Sequence, residues 1–492
     1  MRRRDFNLLS LFLLGIGLAN CTNTAQPDPK PSVSKDSRFR IWWNEGYFPE
    51  ETEVIRQLVA AWEKQSGMKA ELTIYSEKDL ARETNNAIDS GNLPDVLYSY
   101  SADFTLFPQL AWNGLLADVS DVVQPIKDIY SPSALQAVSY QNNVAKKRSY
   151  YAVPISQSTT HIHYWQDMLA NAGLDKSAIP QQWDAFWKFW LQPQETLQQK
   201  GQKEVYGIGL PMSPAATDTF FQFEQFLEAY NVELLTEEGQ LALDVPAVRQ
   251  GVIAALKQYT DLYKIKEVPP QAVDWADPDN NVAFLSRTCV MTANPSLSIP
   301  ASQRQDTETY TKKMVTIPWP SKPDGQPLRY LVAVKQAVIF EGSAHKNTAK
   351  SFLSYMVQPQ NLVAYIKGSQ GRFFPVMPKL LQDPFWTDPK DPHISTAVQQ
   401  FKQTRPFYSV LNPAYTQVQS KNVWGNVIKS VAQGTRSPEQ GRSRGRDRSR
   451  SASPRGVDRL RPARDLGAGR CCGRGDRALH AARHRSGSAR GD

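Results

Sequence analysis

Two short stretches of this 492-residue chain carry side chains able to hold a flat, polar ligand. One is Trp43, Asn44, Glu45 and Tyr47; the other is Tyr98, Ser99, Tyr100 and Asp103. Aromatic faces suit stacking on C–H surfaces, while amides, hydroxyls and carboxylates suit bonding to hydroxyl groups. Both stretches lie at the end of a run that reads as a strand. Trp42 and Trp43 alternate along theirs and therefore point to opposite faces. Trp43, nearer the carboxyl end, is the expected ligand-facing ring, with Trp42 in the core. Residues 38–440 hold no Gly-x-Ser-x-Gly elbow, and the chain holds no His-Glu-x-x-His and no phosphate loop. His161 and His163 share a strand face, but with no third ligand in view the expectation is no metal and no other cofactor. Carboxylates alone do not decide between binder and enzyme, because a chain with this many acids always offers pairs.

The elements that position these residues are legible around them. "RFRIWWN" reads as a strand. The following segment sets Val54, Ile55, Leu58, Val59 and Trp62 on one helical face, with Gly67 as its stop. "KAELTIY" is a second strand, "EKDLARETNNAIDSG" a polar helix and "LPDVLYSYS" a third strand. This β-α-β-α-β series predicts an α/β fold on an open sheet with a parallel core, in which ligands bind beyond the carboxyl ends of the strands. Trp183, Trp187 and Trp190 recur at helical spacing and are read as packing. Cys289, in "CVMTA", is read as a buried, inert thiol.

The ends of the chain differ from the body. "MRRRDFNLLSLFLLGIGLANC" has a basic start and an apolar run far short of the ~20 residues that span a bilayer, so residues 1–21 read as an export signal. "LANC" resembles a lipobox with Cys21 as the lipidated residue, and "RRDFNL" resembles a twin-arginine export motif. Residues 22–36 are Pro-rich and polar, a tether. Residues 441–492 hold 15 Arg, 5 Asp, no Lys and no Glu, a net charge of +10, whereas the whole chain carries +9. The body is therefore near neutral and offers no field for a nucleic-acid backbone. The tail has no Phe, Tyr, Trp, Ile or Met and is expected to be disordered. It is read as a frameshifted end to the reading frame, with an Arg/Ser RNA-binding tail and a disordered extension as the other readings.

Several segments, in order, resemble the family 1 extracellular solute-binding proteins, the capture subunits of bacterial ABC importers. They are "GNLPDVLYSYS", "LAWNGLLADVSDVV", "YYAVPISQSTTHIHYWQDMLANAGL", "IPQQWDAFWKF", "NNVAFLSRTCVMTANP", "GSQGRFFPV" and "NVWGNVIKSVAQGTRSPEQ". Gln182, Ala185 and Ser286 depart from the residues common at their places. The resemblance covers roughly residues 38–440 and stops where the composition changes.

The resemblance implies a two-lobed periplasmic-binding-protein-like fold of type II, with a ligand cleft between lobes that close at a hinge. Lobe 1 is expected over 37–153 plus 294–340 and lobe 2 over 154–293 plus 341–440. Crossings are expected near 153–156, 293–296 and 339–343. The implied ligand contacts are Trp43, Asn44, Tyr47, Tyr100, Asp103, Gln157, Thr159, Trp275, Asn294, Arg372 and Phe373, with no catalytic residue. The implied function is capture of a solute, by its aromatic load a carbohydrate, for a transmembrane ABC permease, with no nucleic-acid partner. The protein would sit in the periplasm or on the outer face of the cytoplasmic membrane, held by lipid. A secreted carbohydrate-active enzyme and an exported ligand sensor on the same fold are the alternatives.

Overall fold

The computed structural model describes residues 38–440. The expectations for the export signal, Cys21, the tether and the Arg-rich tail fall outside these residues. The chain opens with β1 (Phe39–Asn44), β2 (Ala70–Tyr75) and β3 (Val96–Ser99), separated by the helices Pro49–Ser66 and Glu77–Ser90. The helix Pro49–Ser66 forms as its apolar spacing predicts and buries Ile55, Leu58, Val59 and Trp62. It ends at Gly67, whose φ of 73° lets its N–H bond the carbonyl of Glu63; only glycine takes that left-handed turn without strain. A hairpin of β4 (Ser139–Asn142) and β5 (Lys147–Tyr150) then leads into β6 (Val153–Ser158) and β7 (His161–Trp165). Further along come β8 (Tyr206–Gly209), β9 (Cys289–Asn294), β10 (Met314–Ile317), β11 (Tyr330–Leu331), β12 (Ala333–Ile339), β13 (Phe374–Pro375) and β14 (Thr404–Arg405).

Two main sheets define two lobes. Lobe 1 is built on the sheet β13-β6-β12-β3-β1-β2, and lobe 2 on β10-β7-β9-β8. β1 pairs parallel with β2 and β3, as expected, while β12 enters antiparallel between β3 and β6. Helices cover both faces of the lobe 1 sheet. One face buries Trp43 with Ile55, Trp62, Phe352 and Tyr365; the other buries Trp42 with Leu80, Leu97 and Phe107. In lobe 2 the three tryptophans Trp183, Trp187 and Trp190 are all fully buried, packed with Phe226 and Trp319 in one core. Cys289 is a buried free thiol whose ionisation burial suppresses. Among the described residues no helix is long and apolar enough to cross a membrane.

The lobe boundaries differ from those expected. β6 belongs wholly to the lobe 1 sheet, so the first crossing falls between Ser158 and His161. β10, with Trp319 and Leu328, packs in lobe 2. The chain returns to lobe 1 between Leu331 and Val332, which lie in different cores. Ile339 and Ser343 are inside lobe 1 rather than at a crossing. The helices Lys346–Met356 and Pro359–Gly368 bury Phe352, Leu353 and Leu362 in the lobe 1 core. The last crossing lies between Phe401 and Phe407. Period and turn signals find a strand, but they do not say which neighbour it pairs with, and that pairing decides its lobe.

One buried acid gives a direct test of lobe 2. Glu267 is fully buried and no side chain bonds either carboxylate oxygen, while the nearby Leu191 backbone N–H alone favours the charged form. Burial pushes its pKa up from 4.5 to about 8. The native state therefore keeps a proton that the unfolded chain releases above its ordinary pKa. Stability contributed by the protonated acid is complete below about pH 4.5 and falls as the pH rises toward 8. Glu267→Gln removes the titration while keeping the shape. Its stability relative to wild type is expected to rise by on the order of 2 kcal/mol between pH 5.5 and pH 7. Urea titrations at the two pH values check this, and parallel pH dependence in both proteins contradicts it.

Candidate functional site

A cleft of about 720 Å³ lies between the lobes, a volume typical of small-ligand sites. Its lobe 1 wall is formed at the carboxyl ends of β1, β3 and β6 and by the loop before β13, with Tyr47, Tyr100, Phe104, Ser158, Lys335, Arg372 and Phe373. Its lobe 2 wall carries Asp218, Phe221, Asp277, Asn281, Asn294 and Gln419.

Arg372 organises the lobe 1 wall. Its guanidinium carbon lies 5.0 Å from the ring centre of Tyr47, 4.9 Å from Tyr100 and 4.7 Å from Phe373. A cation over three aromatic faces is held in place by their quadrupoles. Its Nε and Nη1 nonetheless have no hydrogen-bond partner. Beneath it, Glu51 is buried; its Oε1 accepts from the Tyr100 hydroxyl at 2.7 Å and the Tyr365 hydroxyl at 3.3 Å. Burial raises the Glu51 pKa, while the charge of Arg372 and the tyrosine hydrogen bonds oppose the rise.

This chain of bonds reaches into the core. Trp43 Nε1 donates to the Tyr365 hydroxyl at 2.9 Å, and the Trp43 ring stacks on Tyr98 at 4.2 Å. Asn44 Oδ1 accepts from the Tyr100 backbone N–H at 3.1 Å, tying the end of β1 to the end of β3. Trp43 and Asn44 therefore position Tyr100 and do not line the cleft. The expectation that Trp43 faces ligand is corrected, because helices cover both faces of the sheet and alternation offers no open side.

A second buried group stands beside Tyr100. Lys335, on β12, donates to the Tyr100 carbonyl at 2.6 Å and lies 3.3 Å from Asp103 Oδ2. Asp103 is nearly fully buried and does not line the cleft; burial lifts its pKa to about 6, with Lys335 acting in the opposite direction. Its expected ligand contact is replaced by this ion pair. Two more expected contacts are also structural. Gln157 Nε2 donates to the Pro375 carbonyl at 2.7 Å, binding β6 to β13. Thr159 Oγ1 donates to the Leu331 carbonyl at 2.8 Å, tying the first crossing to the second. Trp275 packs against the lobe 2 core and is absent from the cleft wall. Gln157 and Thr159 flank the cleft in sequence, but backbone carbonyls take the Gln157 Nε2 and Thr159 Oγ1 donors.

Tyr47, Tyr100, Asn294, Arg372 and Phe373 are the sequence-selected residues that the structure gathers on the cleft. Asn294 is held by bonds from its Nδ2 to the Ser296 carbonyl at 2.8 Å and Ser298 Oγ at 3.0 Å. Asp218 and Asp277 were not selected. Asp277 accepts from the backbone N–H groups of Thr217 and Asp218, at the start of the helix Thr217–Ala229. Asp218 accepts from Asn280 Nδ2 at 3.0 Å, and burial together with the charge of Asp277 raises its pKa. Lys335 and Gln419 were also missed. Neither belongs to a run that sequence pattern distinguishes from an ordinary strand or short helix. Among the described residues no group of three or more histidines, cysteines or acids is placed to hold a metal ion.

The model of the bacterial extracellular solute-binding protein family matches residues 57–396. YcjN of Escherichia coli (strain K12), assigned as an ABC transporter periplasmic-binding protein, is 24% identical over 342 residues, covering 69% of this chain and 73% of that protein. Two solved structures share the fold. A solute-binding protein of an ABC transporter from Thermotoga lettingae TMO, bound with α-D-tagatose, aligns with a TM-score of 0.67 at 20% identity, over 84% of this chain and 99% of that one. T. maritima MalE3 with bound maltose aligns with a TM-score of 0.65 at 18% identity, over 83% of this chain and 99% of that one.

Proposed function

Because the chain belongs to the bacterial extracellular solute-binding protein family, we propose that it captures a carbohydrate in the cleft between its lobes and delivers it to an ABC permease. The observation that carries this reading is the lobe 1 wall: Tyr47, Tyr100 and Phe373 around an Arg372 whose Nε and Nη1 lack partners. Tyr47, half exposed, leaves ring surface beside the Arg372 donors, which suits a sugar ring with C–H groups on its faces and hydroxyls at its edge. Relatives of the same fold are described with α-D-tagatose and maltose. The lobes close on the ligand about the three crossings, and the ligand leaves unchanged. The protein acts outside the cytoplasmic membrane, and lipid on Cys21 tethers it there. These last points rest on the family and on the N-terminal sequence.

The test is a thermal-shift screen of the protein against mono- and oligosaccharides, with amino acids and polyols as controls. A ligand at ~100 times its dissociation constant adds about 2.7 kcal/mol to stability. The expected result is a reproducible shift with one sugar class, with the sugar recovered intact. A shift only with amino acids removes the carbohydrate reading, and consumption of the sugar makes the protein an enzyme.

A further inference from the structure

Gln419 stands out among the cleft residues. It lies on the helix Tyr415–Ser420, is 7% exposed, and has no hydrogen-bond partner for either Nε2 or Oε1. A buried amide with both ends unpaired is costly, and such groups are rare in folded proteins. The backbone that carries it is firmly held. Asn422, at the following turn, donates to the carbonyls of Pro214 and Ala216 and accepts from the Gly425 N–H. The Tyr415 hydroxyl bonds Glu224 at the other end of the helix. The same helix packs against Ala102–Thr105 of lobe 1, so Gln419 sits where the two lobes meet.

We infer that Gln419 is a specificity-determining residue of the cleft, its amide taking two adjacent hydroxyls of a neutral sugar. An amide offers one acceptor and donors side by side, which matches a pair of neighbouring hydroxyls, one donating and one accepting. The charges on the wall favour a neutral ligand. Glu77 and Asp277 face Arg372, while Lys335 is already paired with Asp103, and burial beside Asp277 raises the pKa of Asp218 and disfavours its charge. A carboxylate or phosphate on the ligand would meet more negative than positive charge there. A site that bonds a hydroxyl rejects the analogue lacking it, because the buried amide is left unpaired again.

This inference rests on the carbohydrate reading, and the test separates the two. Wild type, Gln419→Met and Gln419→Asn are titrated calorimetrically with maltose, maltotetraose, laminaribiose and D-tagatose, then with monodeoxy counterparts of the sugar that binds. Methionine keeps the length and apolar stem of glutamine, so its thermal midpoint without sugar is expected to equal or exceed that of wild type. Its affinity is expected to fall by about tenfold or more, and its discrimination against one deoxy sugar to disappear. Asn, with the amide withdrawn by one methylene, is expected to shift in the same direction. Equal affinity and unchanged discrimination in both variants overturn the role of Gln419. A wild type that binds none of these four and no sugar of the thermal-shift screen removes the carbohydrate reading itself.

Discussion

Exchange of Arg405 for leucine is expected to destabilise lobe 2 by about 4 kcal/mol, the loss typical of a buried ion cluster deprived of one member. Arg405 is 7% exposed and stands where the chain re-enters lobe 2. Its Nε bonds Glu228 at 2.8 Å, its Nη2 reaches Glu224 at 3.4 Å, and its guanidinium covers the Tyr408 ring at 4.5 Å. Glu224 is fully buried, with only the Tyr415 hydroxyl and Trp424 Nε1 left as partners once the arginine is gone. Arg329 remains on Glu228 at 3.0 Å, so Glu224 bears most of the loss. The measurement is the urea midpoint, together with the double variant Arg405→Leu/Glu224→Leu. Removing both charges is expected to recover part of the stability, since an apolar replacement of a buried pair is often neutral or better. A midpoint within error of wild type for Arg405→Leu contradicts this account of the crossing.

The second large effect falls on binding. Arg372→Met is expected to weaken sugar affinity by roughly a hundredfold, because it removes unpaired donors from a desolvated aromatic pocket. The fold is expected to survive, since Glu51 keeps both tyrosine hydroxyls and burial already favours its neutral form. A calorimetric titration beside a thermal melt separates the two effects. Unchanged affinity contradicts the placement of ligand on this wall, and a collapsed melt assigns Arg372 to folding instead.

Much of the fold was written plainly in the sequence. The period of Ile55, Leu58, Val59 and Trp62, and the stop at Gly67, specified the first helix because a single buried face sets a single spacing. The site was only half legible. Tyr47, Tyr100, Arg372 and Phe373 sit beside strand ends or turns, where the fold class itself puts ligands. Trp43 was misleading because a sheet covered on both faces hides both sides of the alternation. Asp103, Gln157 and Thr159 have ligand-like chemistry, but a lysine from β12 and two backbone carbonyls claim it. Those partners lie 232, 218 and 172 residues away, beyond the reach of any local pattern. Gln419 and Asp218 reach the cleft from lobe 2, at positions that no local sequence pattern marks.

We propose that the interlobe cleft holds a sugar reversibly. It is tested most directly by one calorimetric titration of the full chain with the sugar found in the screen. The expected result is one site per chain, heat that ceases at saturation, and a negative heat-capacity change as the aromatic wall is buried. Heat that continues after saturation would mean turnover, and no heat with any carbohydrate would mean that the cleft serves another solute.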